Sequence, residues 1–119
     1  MVGATTPCVN PAAPPFLFAA LVSYQDGGTL IDSANRPGGR GTGLGQWRFE
    51  RNGQYQTRMR FPRQVDSEFD GFNDVTSTIS LLGNNLYSAQ IRVRVLNLDG
   101  SLRVELCGQT EGERFAADF

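Results

Sequence analysis

Around Asn52-Gly53 the chain alternates apolar and polar residues with a period of two on both sides of a two-residue turn. Asn-Gly between alternating segments is the strongest short-range signal of a β-hairpin, because both turn positions favour a left-handed backbone. The returning segment, Gln54 to Pro62, puts Tyr55, Thr57, Met59 and Phe61 on one face and Gln56, Arg58 and Arg60 on the other. A helix would need a period near 3.6, which no segment of useful length shows. This one feature commits the middle of the chain to antiparallel sheet.

The pattern repeats along the chain. Asp26-Gly27-Gly28, Gly83-Asn84-Asn85 and Asp99-Gly100 punctuate further apolar or alternating runs. The runs are Phe16 to Tyr24, Thr29 to Ser33, Gln46 to Arg51, Val75 to Leu82, Leu86 to Leu98, Leu102 to Leu106 and Gly108 to Phe115. Residues 63–72, with Asp66, Glu68, Phe69, Asp70 and Phe72, read as an acidic and aromatic loop. Residues 1–15 carry Pro7, Pro11, Pro14 and Pro15 and read as an irregular, proline-rich N-terminal arm. The expected fold is therefore all-β, a closed antiparallel up-and-down barrel of about eight strands spanning residues 16–119. Closure is favoured because an open sheet leaves aggregation-prone edges. A two-sheet sandwich is the competing fold. Its 119 residues are enough for one core.

Composition excludes several functions. There is no histidine, so Ser-His-Asp and Cys-His catalysis and histidine metal ligation are absent. Two cysteines alone do not make a zinc site, and no metal or cofactor is expected. The net charge of −1 supplies no broad basic field for nucleic acid or anionic membrane. All basic residues are arginine, which reads first as coding bias. Cys8 and Cys107 either form a disulfide worth about 4–5 kcal/mol in the chain-entropy account or remain free thiols. A bridge points to a secreted or periplasmic protein, free thiols to a cytoplasmic one. Phe16 to Val22 is too short to span a bilayer, and it lacks the basic flank of a signal peptide, so any leader would have been replaced by Met1.

Gly45-Gln46-Trp47 enters a strand, and Gly112-Glu113-Arg114-Phe115 lies near the C-terminus. Together they resemble the calycin superfamily, which includes lipocalins and avidins. The resemblance implies that Trp47 closes one barrel end and that Arg114 stacks on it. In lipocalins this motif sits at the first strand, whereas here two strands precede it. Asn97-Leu98-Asp99-Gly100 before a terminal Gly-x-Arg also resembles the barrel class of allene oxide cyclases and small bacterial β proteins. That resemblance implies a barrel more than any activity.

Alternation places Leu21, Trp47, Phe49, Tyr55, Met59, Phe61, Ile79, Leu81, Tyr87, Ile91, Val93 and Val104 inside, with Phe69 and Phe72 over a mouth. The candidate ligand-binding residues are Trp47, Phe49, Tyr55, Met59, Phe61, Phe69, Phe72, Tyr87 and Ile91. The expected function is binding of a small apolar or aromatic molecule inside the barrel. The alternatives are a barrel-type cyclase or isomerase acting by substrate enclosure, and a self-associating structural barrel whose core is full. For an enzyme, Tyr55, Tyr87, Asp70 and Asp74 are the candidate polar groups. Arg48, Arg58, Arg60, Arg92, Arg94 and Arg103 form an outer arginine face, read first as a solvated surface with cross-strand ion pairs. The glycine-rich stretch 34–45 lacks the Gly-Lys-Ser/Thr ending of a phosphate loop and reads as a loop at a barrel end. No nucleic acid or membrane partner is expected. A homodimer through an outer sheet face is compatible with the sequence.

Overall fold

The computed structural model describes residues 1–36 and 39–115; Pro37 and Gly38 of the glycine-rich stretch, and residues 116–119, lie outside that description. Eight strands follow one another: β1 (Val2–Pro7), β2 (Phe16–Gln25), β3 (Thr29–Ala34), β4 (Gly43–Arg51), β5 (Gln54–Val65), β6 (Glu68–Leu81), β7 (Leu86–Leu96) and β8 (Leu102–Glu113). No helix occurs among the described residues. Each strand pairs antiparallel with the next, and β8 pairs with β1, so the sheet forms a ring without an unpaired edge strand. The expected turns form where the glycines stand. Gly53, for example, adopts a φ of 72°, in the left-handed region that glycine enters without steric cost.

The strand count agrees with the sequence reading, but two strands differ. The proline-rich arm is not irregular throughout: Val2–Pro7 forms β1, which completes the ring. The two short C-terminal segments are one continuous strand, β8, passing through Gly108. Residues 63–72 are not a loop either. β5 runs on to Val65, Asp66 and Ser67 take φ values of 51° and 65° in a tight turn, and β6 starts at Glu68. Asp66 can do this because its short polar side chain tolerates the left-handed region.

Inward and outward faces follow from the register. In β2 the even residues face in, where Phe18 meets the cluster of Ile91, Val93 and Val95 together with Val75, Val104 and Leu106. Leu21 therefore faces out, paired with Ser33 and 71% exposed, contrary to the sequence expectation. A run apolar at nearly every position carries no alternation from which to choose a face. Cys8 and Cys107 are joined by a disulfide with the Cα atoms 5.0 Å apart. It ties the segment just after β1 to β8, beside the pair Thr6 and Cys107, and it fits an oxidising location.

Candidate functional site

Because the strands run alternately up and down, the connections at 8–15, 35–42, 66–67 and 97–101 gather at one end of the ring. The turns at 26–28, 52–53 and 82–85 gather at the other. The two ends have different chemistry, and space lies between them.

At the first end a cavity of about 430 Å³ is walled by Phe18, Ala20, Val22, Met59, Phe61, Val75, Ile91, Val93 and Leu106. Four arginines border it: Arg36, Arg40, Arg63 and Arg103. Arg40 comes from the 35–42 connection and turns inward. It forms an ion pair with Asp32, which is 2% exposed, donates from Nε to the Gly41 carbonyl at 3.1 Å, and lies 3.7 Å over the Phe61 ring. Gly43 opposite has no side chain for a reason: a Cβ there would strike the Asp32 carboxylate. Burial pushes the Asp32 carboxyl up and the Arg40 guanidinium down, each against the pull of its partner.

Arg63 is nearly sealed, at 1% exposure. The ladder shifts between Arg63 and Gln64 and again between Val95 and Leu96. Such bulges leave backbone carbonyls without ladder partners. Arg63 supplies donors to Asp70 O at 2.7 Å, Phe72 O at 2.9 Å and Leu96 O at 3.0 Å, and to Asn73 Oδ1 at 2.8 Å. Its Nε is buried without a partner among the described residues. Gly71, at a φ of 121°, lets the bulge pack against the Leu96 carbonyl. Asp70 bridges Arg63 at 3.3 Å and Arg103 at 3.1 Å. The Arg103 hydrogen bond chiefly holds its carboxyl below the usual range. Arg36 donates to Gln64 O at 2.8 Å, and burial and the charges of Arg63 and Arg103 lower its pKa.

At the other end a larger recess of about 900 Å³ is bordered by Trp47, Tyr55, Ile79, Leu81, Leu86 and Tyr87. Leu21 and Ile31 border it from the outer margin of β2 and β3. Met1, Ala20, Val22, Tyr24, Asp32 and Thr57 border both spaces, so the two adjoin. Tyr24 and Tyr87 lie close together there, and burial raises both phenols above their ordinary value. Trp47 donates from Nε1 to Gln25 O at 2.9 Å and packs edge-on to Tyr55. Arg114 borders the same recess, held through its backbone to Asn85 O. Among the described residues the arginine–aromatic contacts are Arg40 on Phe61 and Arg60 near Phe72, not the expected stacking of Arg114 on Trp47.

Of the nine expected ligand contacts, Met59, Phe61 and Ile91 border the cavity, and Trp47, Tyr55 and Tyr87 the recess. Phe49, Phe69 and Phe72 border neither. Phe49 sits on the rim, 57% exposed, against Tyr55. Phe69 and Phe72 pack on each other and do not cover a mouth, because Phe72 shares the outer face with Asp74. Leu81, expected inside, is 46% exposed at the rim. The four candidate catalytic groups do not converge. Tyr55 and Tyr87 are at one end and Asp70 at the other, while Asp74 is outside, bound by Arg60. Arg103, expected on the outer face, bends over the rim to reach Asp70 and the cavity.

Sequence reasoning missed Asp32, Arg36, Arg40, Arg63 and Tyr24. Arg63 had a signal: it continues the inward series Tyr55, Thr57, Met59 and Phe61. Asp32 had one too, sharing a face with Leu30. Arg36 and Arg40 had none, since a glycine-rich connection has no periodicity. No protein-family model, curated protein or solved structure matches the chain.

Proposed function

We propose that the ring is a closed barrel that holds a small apolar or aromatic molecule, with an acidic end of that molecule turned toward Arg36, Arg40 and Arg103. The observation that carries this reading is the cavity of about 430 Å³ walled by aliphatic and aromatic side chains. Ligand pockets begin at roughly 300 Å³, whereas a barrel of eight strands can instead fill its interior with side chains. Cationic groups at one end of an apolar space favour an amphipathic acid over a pure hydrocarbon. Burial and the nearby charges of Arg63 and Arg103 raise the cost of charging Arg36, which a bound anion relieves.

Isothermal titration of the intact protein with decanoate and with decan-1-ol tests it. Both ligands bind in the expected outcome, decanoate more tightly, and saturation at about a hundred times Kd stabilises the fold by about 2.7 kcal/mol. Failure of either ligand to bind, with no rise in unfolding temperature, overturns the reading.

A further inference from the structure

The outer face of β4 to β7 carries two adjacent cross-strand rows, Gln46–Arg58–Thr76–Arg92 and Arg48–Gln56–Thr78–Gln90. They border a shallow groove of about 930 Å³ that holds three arginines and no carboxylate. The row beside them is different. There Arg60 is bound by Asp74, with Nη2 to Oδ2 at 2.9 Å, and Arg94 faces Glu105 at 3.8 Å, so positive and negative charges alternate. In the groove that balance is missing. Arg92 is exposed and has no hydrogen-bond or ion-pair partner among the described residues. Arg58 is 72% exposed and only approaches, at 3.9 Å, the Asp74 carboxylate that Arg60 already holds. Arg48 is 71% exposed and reaches Glu50 at 3.5 Å. A protein with a net charge of −1 thus sets three arginines on one outer face, where Arg92 has no carboxylate partner among the described residues and Arg58 only shares one with Arg60.

We infer that this face binds an acidic polysaccharide. Arg58 and Arg92 stand two strands apart, roughly 10 Å at the usual strand spacing, a separation close to the disaccharide repeat of an extended acidic polysaccharide. Guanidinium forks pair with carboxylate or sulfate through two parallel hydrogen bonds. The glutamines and threonines between them offer neutral donors and acceptors for sugar hydroxyls. Single-stranded nucleic acid fits less well, because neither row carries an aromatic side chain on which a base could stack. The face is separate from the ring interior, so this inference does not depend on a ligand being held there.

Surface plasmon resonance of the intact protein over immobilised heparin, alginate and uncharged dextran tests the inference. Binding to heparin or alginate and none to dextran is expected, with a roughly ten-fold loss when Arg58→Gln and Arg92→Gln are combined. Arg94→Gln, in the compensated row, leaves binding within about two-fold. Circular dichroism verifies that each variant is folded. Absence of binding to both acidic polymers overturns the inference, as does equal binding by the double variant. Tighter binding of a single-stranded oligonucleotide or of polyphosphate with the same arginine dependence also overturns it, since the face would then recognise phosphate chains.

Discussion

The guanidinium of Arg40 and the carboxylate of Asp32 form an ion pair inside the strand ring, with side-chain exposures of 5% and 2%. Arg40 arrives from a connection and Asp32 from the middle of β3, so the pair holds Arg40 across one end of the interior. Its position is expensive. Desolvation shifts both groups toward their neutral forms, and a buried pair rarely stabilises a fold more than apolar residues of the same size.

Asp32→Asn leaves the Arg40 charge buried without its counter-ion. Because burial outweighs the pull of Arg40 on the Asp32 carboxyl, the neutral amide is expected to cost no more than about 1 kcal/mol in urea unfolding at pH 7. The double variant Asp32→Leu, Arg40→Met removes both charges and loses less than the single variant. A double variant less stable than Asp32→Asn would show that the pair itself stabilises the fold.

Arg63→Met strands the carbonyls of Asp70, Phe72 and Leu96, which no other side chain approaches as donor in the described structure. Each unsatisfied buried acceptor costs about 1–3 kcal/mol. The expected loss is at least about 3 kcal/mol, with amide exchange accelerating first in β6 near Gly71 and β7 near Leu96. A loss under about 1 kcal/mol would mean that water replaces the guanidinium at no cost.

Which parts of this architecture can be read from the chain follows from how each segment encodes its face. β5 and β7 alternate strictly, and their inward sets, Met59 with Phe61 and Ile91 with Val93, come straight from the period of two. β2 is apolar on both faces because its outer side, Leu17 and Leu21, stays exposed, so the alternation that would orient it is erased. β1 is small and ends in a proline, and only pairing with β2 and β8, distant in sequence, makes it a strand. The arginine end of the cavity is assembled from the 35–42 connection, the end of β5 and the start of β8, so its proximity is tertiary and invisible locally. The aromatic end was more legible, because Trp47, Tyr55 and Tyr87 lie on alternating strands beside recognisable turns.

Replacing Cys8 and Cys107 by serine lowers stability by about 2–5 kcal/mol, since the bridge closes a loop of 99 residues in the unfolded chain. β1 carries only six residues, so loss of the bridge loosens it from β8 first. Thermal unfolding with and without reductant reads the effect. Identical midpoints would mean that the β1–β8 ladder alone sets the stability of that seam.

Acid unfolding separates the two aspartates by sign. The Arg60 hydrogen bond holds the Asp74 carboxyl below its ordinary 3.8. The folded state therefore binds fewer protons at Asp74 than the unfolded state does, and this contribution is fully present above that value and lost as pH falls through it. Asp32 behaves in reverse. Burial raises its carboxyl above 3.8, so the folded state takes up the proton more readily, and the cost of charging it appears as pH rises through the raised value. Urea unfolding between roughly pH 3 and 6 distinguishes them. Asp74→Asn flattens the fall in stability at the acid end, while Asp32→Asn abolishes a decline on the upward side. Because Asp74 lies on the outer face beside exposed arginines, added salt shrinks its effect and leaves that of the sealed Asp32 nearly unchanged. Equal salt sensitivity of the two would contradict the difference between their partners, Arg60 exposed and Arg40 sealed.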